Sequence, residues 1–249
     1  MLVLPGVVYT TGQLLDIARL SEEAHRRGIL LCVDACHSIG SVPQRFGDWD
    51  VDFAVWCNYK YLNGGPGAVA GLYVNRRHFG AAPGLAGWFS SEKAKQFDMA
   101  HEPRFAQTAG AYQIGTPPVL SLCVLSGSLE LIRRAGIDAI REKSLAQTRF
   151  LIGLAQSKLA KFGFGLATPE TDARRGGHVA IAHVEAARIA KALKQQRVVP
   201  DFRPPDLIRL APIALYTRYE DLVGVVLALE GIMERKAYLE FPNVREEVA

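Results

Sequence analysis

The chain has 249 residues, 49% hydrophobic and 22% charged, with a formal net charge of +4 at pH 7. That is enough to bury a sizeable core in one large domain or two smaller ones. The basic residues are scattered among acids, which argues against nucleic-acid binding, and no apolar stretch reaches the roughly 18 residues of a membrane helix. No charged leader with an apolar h-region opens the sequence, so a protein of the cytoplasm is expected. The four cysteines (Cys32, Cys36, Cys57, Cys123) form no CxxC pair. Three lie in or beside apolar runs and read as small buried hydrophobes in a reducing compartment; no metal centre is expected.

The chain begins with the β-type run Leu2-Val3-Leu4-Pro5, then Val7-Val8-Tyr9, then a turn at Thr11-Gly12. Residues 13–27 place Leu14, Leu15, Ile17, Ala18, Leu20 and Ala24 at helical spacing, with Gly28 as the stop. A second strand over 29–33 delivers Asp34, a third spans 51–57, and a fourth spans 71–74. Strand, helix and strand joined by short connections predict a mostly parallel sheet. Ligand-binding residues of such sheets gather at the carboxyl ends of the strands, where Asp34 and Lys60 both fall. Residues 81–116 are rich in Gly, Pro and aromatics without clear periodicity and read as a long functional loop region.

Pro117 starts a helix, and a longer one is expected over 137–162. The remainder reads strand 179–182, helix 184–195, strand 207–211 and helix 219–238. The expected division is a larger domain over 1–125 and a small α+β domain over 126–249. No internal repeat or low-complexity tract is seen.

Lys60 is the chemical centre of this pattern. It follows the apolar run Phe53-Ala54-Val55-Trp56-Cys57 in Asn58-Tyr59-Lys60-Tyr61, and Asn63-Gly64-Gly65-Pro66-Gly67 comes next. The run Ile29-Leu30-Leu31-Cys32-Val33 ends abruptly in Asp34, and His37 lies three residues on. An acid ending one buried strand and a lysine following the next is what a pyridoxal-phosphate enzyme needs. The lysine carries the cofactor as a Schiff base, and the acid keeps the pyridine nitrogen protonated. The glycine-rich turn lets backbone come close.

Each residue also has an ordinary structural reading. Asp34 is a helix N-cap, Lys60 a surface lysine, Tyr59 a strand-edge tyrosine and His37 a structural histidine. Arg209, in Leu207-Ile208-Arg209-Leu210-Ala211-Pro212, is a charge inside an apolar strand. Such a residue needs a partner, and a guanidinium suits bidentate capture of a carboxylate. Trp88 and Thr116 are weak signals alone, equally read as core packing and helix capping.

Several runs together resemble the kynureninase family. They are Val33-Asp34-Ala35-Cys36-His37-Ser38-Ile39-Gly40, the stretch from Asp52 through Tyr59-Lys60-Tyr61-Leu62-Asn63, Gly87-Trp88-Phe89, Gly115-Thr116-Pro117-Pro118 and Ile208-Arg209-Leu210-Ala211-Pro212. The resemblance covers essentially the whole chain. It implies an α/β, aspartate-aminotransferase-like fold and a homodimer. The implied activity is a hydrolase of tryptophan catabolism, in the kynurenine pathway that feeds NAD biosynthesis. It cleaves the Cβ–Cγ bond of L-kynurenine or its 3-hydroxy form, giving anthranilate (or its hydroxy form) and L-alanine. By matching motif, Lys60 is the Schiff-base lysine, Asp34 the partner of the pyridinium and Tyr59 a phosphate ligand. Trp88 and Thr116 complete the cofactor pocket from the partner subunit, His37 sits by the substrate, and Arg209 grips its α-carboxylate.

Two departures accompany the resemblance. Pro5 stands where the family usually has a small hydroxyl residue near the phosphate. Family members also extend further at the amino end, so the phosphate-binding loop and the aromatic that stacks on the pyridine ring are expected to lie outside this chain. Two alternatives follow. One is an inactive fragment or half-enzyme that needs a separate amino-terminal part. The other is a related class V aminotransferase or cysteine desulfurase, although no cysteine falls in 81–116, where a desulfurase needs one.

Overall fold

The structure is a computed structural model and describes residues 1–245. It divides into two compact units. The first comprises Met1–Gly6, Asp16–Ile39 and Gln44–Arg134; the second comprises Val7–Leu15, Gly40–Pro43 and the described residues from 135 onward.

The first unit holds a four-stranded sheet in the order β1 (Leu2–Pro5), β2 (Leu31–Asp34), β3 (Phe53–Trp56), β4 (Gly71–Val74). β1 and β2 run parallel, as do β2 and β3, and β4 is antiparallel to β3. The sheet is mostly parallel, as the strand–helix–strand spacing predicts. Helix α1 (Ile17–His25) starts where the Asp16 carboxylate accepts from the Arg19 amide at 3.1 Å. It buries Ile17, Ser21 and Ala24 and stops ahead of Gly28, whose φ of 65° suits glycine. Leu14 and Leu15, expected on this helix, fall outside it because the chain turns into the helix only at Asp16. The expected β-run at Val7-Val8-Tyr9 makes one bridge, between Val7 and Leu14. β1 ends where Gly6 donates its amide to the Asp34 carbonyl, and Val7–Leu15 then belongs to the second unit.

A buried carboxylate sets the alignment of β2, β3 and β4. Asp52 is fully buried at the start of β3. Its oxygens accept from the Leu31 amide at 2.8 Å and from the Arg77 guanidinium at 2.6 Å, and they bond the His25 and His78 rings at 2.8 and 2.6 Å. Burial alone would raise this carboxyl's pKa, but the bonds from His25, His78, Leu31 and Arg77 outweigh it and hold it well below the usual range.

Helix α2 (Val119–Ala135) closes the first unit. The boundary expected at 125/126 falls inside this helix, and the second unit resumes at Ala135. Helix α3 (Ile137–Leu159) then packs with α4 (Ala186–Gln195) and α5 (Tyr219–Glu234) on an antiparallel sheet. The strand order is β5 (Gly165–Leu166), β6 (Val179–Ala182), β8 (Leu207–Leu210), β7 (Asp201–Arg203). Leu151, Leu159, Ile181, Ile189, Leu193, Ile208, Leu229 and Ile232 are fully buried here, each worth about 2 kcal/mol of apolar burial. The short edge strands β5 and β7 carry too few residues to show alternation in the sequence.

Candidate active site

Asp34 is the last residue of β2, paired with Pro5 on β1 and Val55 on β3. The chain beyond it folds back at once, with the Ser38 and Ile39 amides both donating to the Ala35 carbonyl. This turn carries Cys36 and His37. The Cys36 amide donates to Asp34 Oδ1 at 2.9 Å and fixes the carboxylate at the strand end.

Lys60 lies in the turn after β3. The Asn63 amide donates to the Lys60 carbonyl, and the Gly64 amide to the Asn58 carbonyl. Asn58 is buried, accepts from Trp56 Nε1 at 3.0 Å and donates to the Val69 carbonyl. Glycine at 64 is required, because a Cβ there would meet the Asn58 carbonyl oxygen at 2.8 Å. The turn presents a half-buried lysine whose Nζ lies 3.0 Å from His37 Nε2. An ammonium donating there makes Nε2 the acceptor and leaves the ring proton on Nδ1. The two strand-end segments therefore meet through the Lys60–His37 bond.

Tyr59 is exposed, with Lys60 Nζ 5.8 Å from its ring centre. The neighbouring Cys57 side chain raises its phenol pKa, and a phenol is in any case an O–H donor at neutral pH. The two cysteines need a new reading. Cys36 and Cys57 are half-buried rather than simple core residues, and the Cys57 amide donates to Cys36 Sγ at 3.3 Å. Burial, and then the hydrogen bond from the thiol to Asp34, push Cys36 up to about 12. Their shared spacing from Asp34 and Val55 was the available sequence signal, because each lies two residues past a paired strand position.

Trp88 and Thr116 belong to a second local group within 81–116, where short 3₁₀ turns replace regular structure. The backbone at Gly87 comes so close to Ile114 that a Cβ would lie 2.0 Å from its carbonyl oxygen. Ser90 Oγ accepts from the Gly87 amide and donates to the Gln113 carbonyl at 2.7 Å. Trp88 packs on Phe89 and Phe97 and is half exposed, and Thr116 is exposed two residues beyond Ile114.

Arg209 stands in the second unit, on β8. Its guanidinium pairs with Asp201 and donates to the Tyr9 carbonyl at 2.6 Å, so this charge is partnered within its own unit. Among the described residues no group of three or more His, Cys, Asp or Glu could hold a metal ion. No described helix is long and apolar enough to cross a membrane.

A family model described as the kynureninase C-terminal domain matches residues 140–229. Over all 249 residues the chain is 59% identical to a kynureninase of Geobacillus thermodenitrificans and 57% identical to one of Bacillus anthracis. It spans 58% of the length of each. Its similarity to kynureninases thus extends from end to end of the chain and over part of the relatives. Among solved structures, a cysteine desulfurase from Thermococcus onnurineus NA1 superposes with a TM-score of 0.80 at 17% identity, covering 94% of this chain and 60% of that one. A C-DES mutant with glycine covalently linked to its PLP cofactor gives 0.79 at 23% identity, covering 92% and 59%. An alanine–glyoxylate aminotransferase from Nostoc gives 0.66 at 17% identity, covering 93% and 61%. At such identities these likenesses establish the fold, which is α/β and aspartate-aminotransferase-like.

Proposed function

We propose that this chain carries the lysine-bearing part of a pyridoxal-phosphate-dependent hydrolase that cleaves the Cβ–Cγ bond of L-kynurenine or 3-hydroxykynurenine. The products are anthranilate, or its hydroxy form, and L-alanine. The observation that carries the reading is the Lys60 Nζ–His37 Nε2 bond of 3.0 Å beside the strand-end carboxylate of Asp34, in a chain 59% identical to a kynureninase.

The residues fit the cofactor. A half-buried amine, an anchored carboxylate and a protonated phenol match its aldehyde, its ring nitrogen and its phosphate in turn. Lys60 is the attachment point, Asp34 the partner of the ring nitrogen, and Tyr59 a donor to the phosphate. When bound, the cofactor supplies an electron sink for the charge left at the substrate's α-carbon.

The chain's own groups do the rest. His37 Nε2 holds Lys60 Nζ in place, and Lys60 Nζ takes the α-proton and returns it. Arg209 is the proposed grip on the substrate's α-carboxylate, a role that requires sharing or exchanging its contact with Asp201. Trp88 and Thr116 are proposed to complete the cofactor pocket of a partner copy in a homodimer. A cytoplasmic setting fits a small amino-acid substrate.

The test is a visible spectrum of the purified chain titrated with pyridoxal phosphate, with Lys60→Ala alongside, followed by a kynurenine cleavage assay. A saturable absorption band in the parent, lost in Lys60→Ala, together with release of anthranilate, is the expected result. No saturable band, or one that survives in Lys60→Ala, would overturn the assignment of Lys60.

A further inference from the structure

The mechanism above makes no use of the thiols of Cys36 and Cys57. We propose that they form a thiol-modification site that closes into an intramolecular disulfide when the chain meets a low-molecular-weight disulfide. The inference stands on the geometry of the two strand ends and is independent of the cofactor reading.

The pairing follows from register. β2 and β3 run parallel with Cys32 opposite Phe53 and Asp34 opposite Val55. Cys36 and Cys57 continue that same offset two residues further on. The paired strand ends from which both residues depart lie about 4.8 Å apart, which starts the two cysteines within reach of the roughly 4.4–6.8 Å between α-carbons that a disulfide spans. The side chains agree with the backbone: the Cys57 amide donates to Cys36 Sγ at 3.3 Å. Both residues are half-buried, so a small oxidant reaches them. By contrast Cys32 is buried and Cys123 lies exposed on α2.

The chemistry balances as an exchange. Cys57 Sγ, as thiolate, attacks one sulfur of the small disulfide and expels the other as a thiolate, which is protonated. Cys36 Sγ then attacks the Cys57 sulfur and releases the second small thiol. The proton that Cys36 gives up has an acceptor nearby in the Asp34 carboxylate, whose Oδ1 already bonds the Cys36 amide. One small disulfide becomes two small thiols, and two protein thiols become one disulfide. Cys36 is the resolving rather than the attacking partner, because burial and then Asp34 push its pKa up to about 12. The product replaces a titratable thiol beside Asp34 with a neutral disulfide, so oxidation acts on the surroundings of the carboxylate at the end of β2.

The experiment treats the folded full chain, without added cofactor, with oxidised glutathione. Free thiols are then alkylated and the chain is peptide-mapped without reduction. The expected map links the Cys36 and Cys57 peptides and shows glutathione on Cys123. In Cys36→Ser, Cys57 stops as a glutathione adduct; in Cys57→Ser, Cys36 stays reduced. Should either variant misfold by circular dichroism, the parent map and the other variant still decide. Cys36 and Cys57 left alkylatable while Cys123 is modified would overturn the proposal. So would links scattered among all four cysteines as in a denatured control.

Discussion

Asp34 is held by its own near neighbour. The Cys36 amide donates to one carboxylate oxygen at 2.9 Å, which sets the Cys36 thiol beside that charge. The charge that anchors the thiol also hinders its ionisation, since a thiolate there would face a carboxylate. Asp34→Asn removes the charge but keeps an acceptor for the amide. Cys36 should then titrate at lower pH than in the parent chain while staying above an ordinary thiol, because burial, the larger cause, is unchanged. Thiolate absorbance followed against pH checks this. An unmoved titration would assign the whole effect to burial. That Asp34 ends one strand, and that His37 and Lys60 fall in the turns after two strands, was legible in the sequence because each follows an apolar run at a fixed short distance. Their mutual contact was not, because it depends on how two turns fold back after their strands.

Between elements, Asp52 joins the end of α1, the start of β2, the start of β3 and the turn after β4 through His25, Leu31 and the pair Arg77 and His78. The alignment that brings Asp34 opposite Val55 begins at this clamp. A carboxylate with a depressed pKa contributes stability above its unfolded pKa of about 3.9 and loses it as pH falls through the folded value. Stability of the first unit should therefore decline as pH drops below about 4. In Asp52→Asn that part of the pH dependence should be missing, with a loss of about 3 kcal/mol at neutral pH from breaking a buried ionic cluster. Urea unfolding of parent and variant, measured from neutral to acid pH, checks both. Equal acid sensitivity in the two chains would mean that Asp52 is not the group responsible. The strands this cluster aligns were visible as apolar runs. The cluster itself was hidden, because its members come from distant segments and none stands out locally.

The chain as a whole presents α2 with a markedly apolar outer surface. Leu120 is 85% exposed, and Val124 and Leu131 follow it at helical spacing on the same face. Exposed apolar side chains gathered on one helix face favour association. The proposed homodimer places a demand on such a surface, and the purified chain should sediment as a species larger than a monomer. Leu120→Lys with Val124→Lys should shift it toward the monomer. Sedimentation velocity at several concentrations reads this directly, and an unchanged profile would exclude this face from self-association.

The sequence by itself determined the order and type of the main elements and the residues at the two strand ends. Apolar runs, helical periodicity and glycine stops are local properties, written in consecutive residues. The tertiary structure decided what depends on distant segments. It placed Val7–Leu15 with the second unit, beside the strand that carries Arg209, and gave Arg209 its partners Asp201 and Tyr9. It ran α2 through the expected domain boundary. It also set Cys36 against Cys57, which the sequence reads as two unrelated small hydrophobes. Each of these follows from pairing and packing across long stretches of chain. Such contacts leave no periodic mark on the sequence, because only the sheet's register brings their members together.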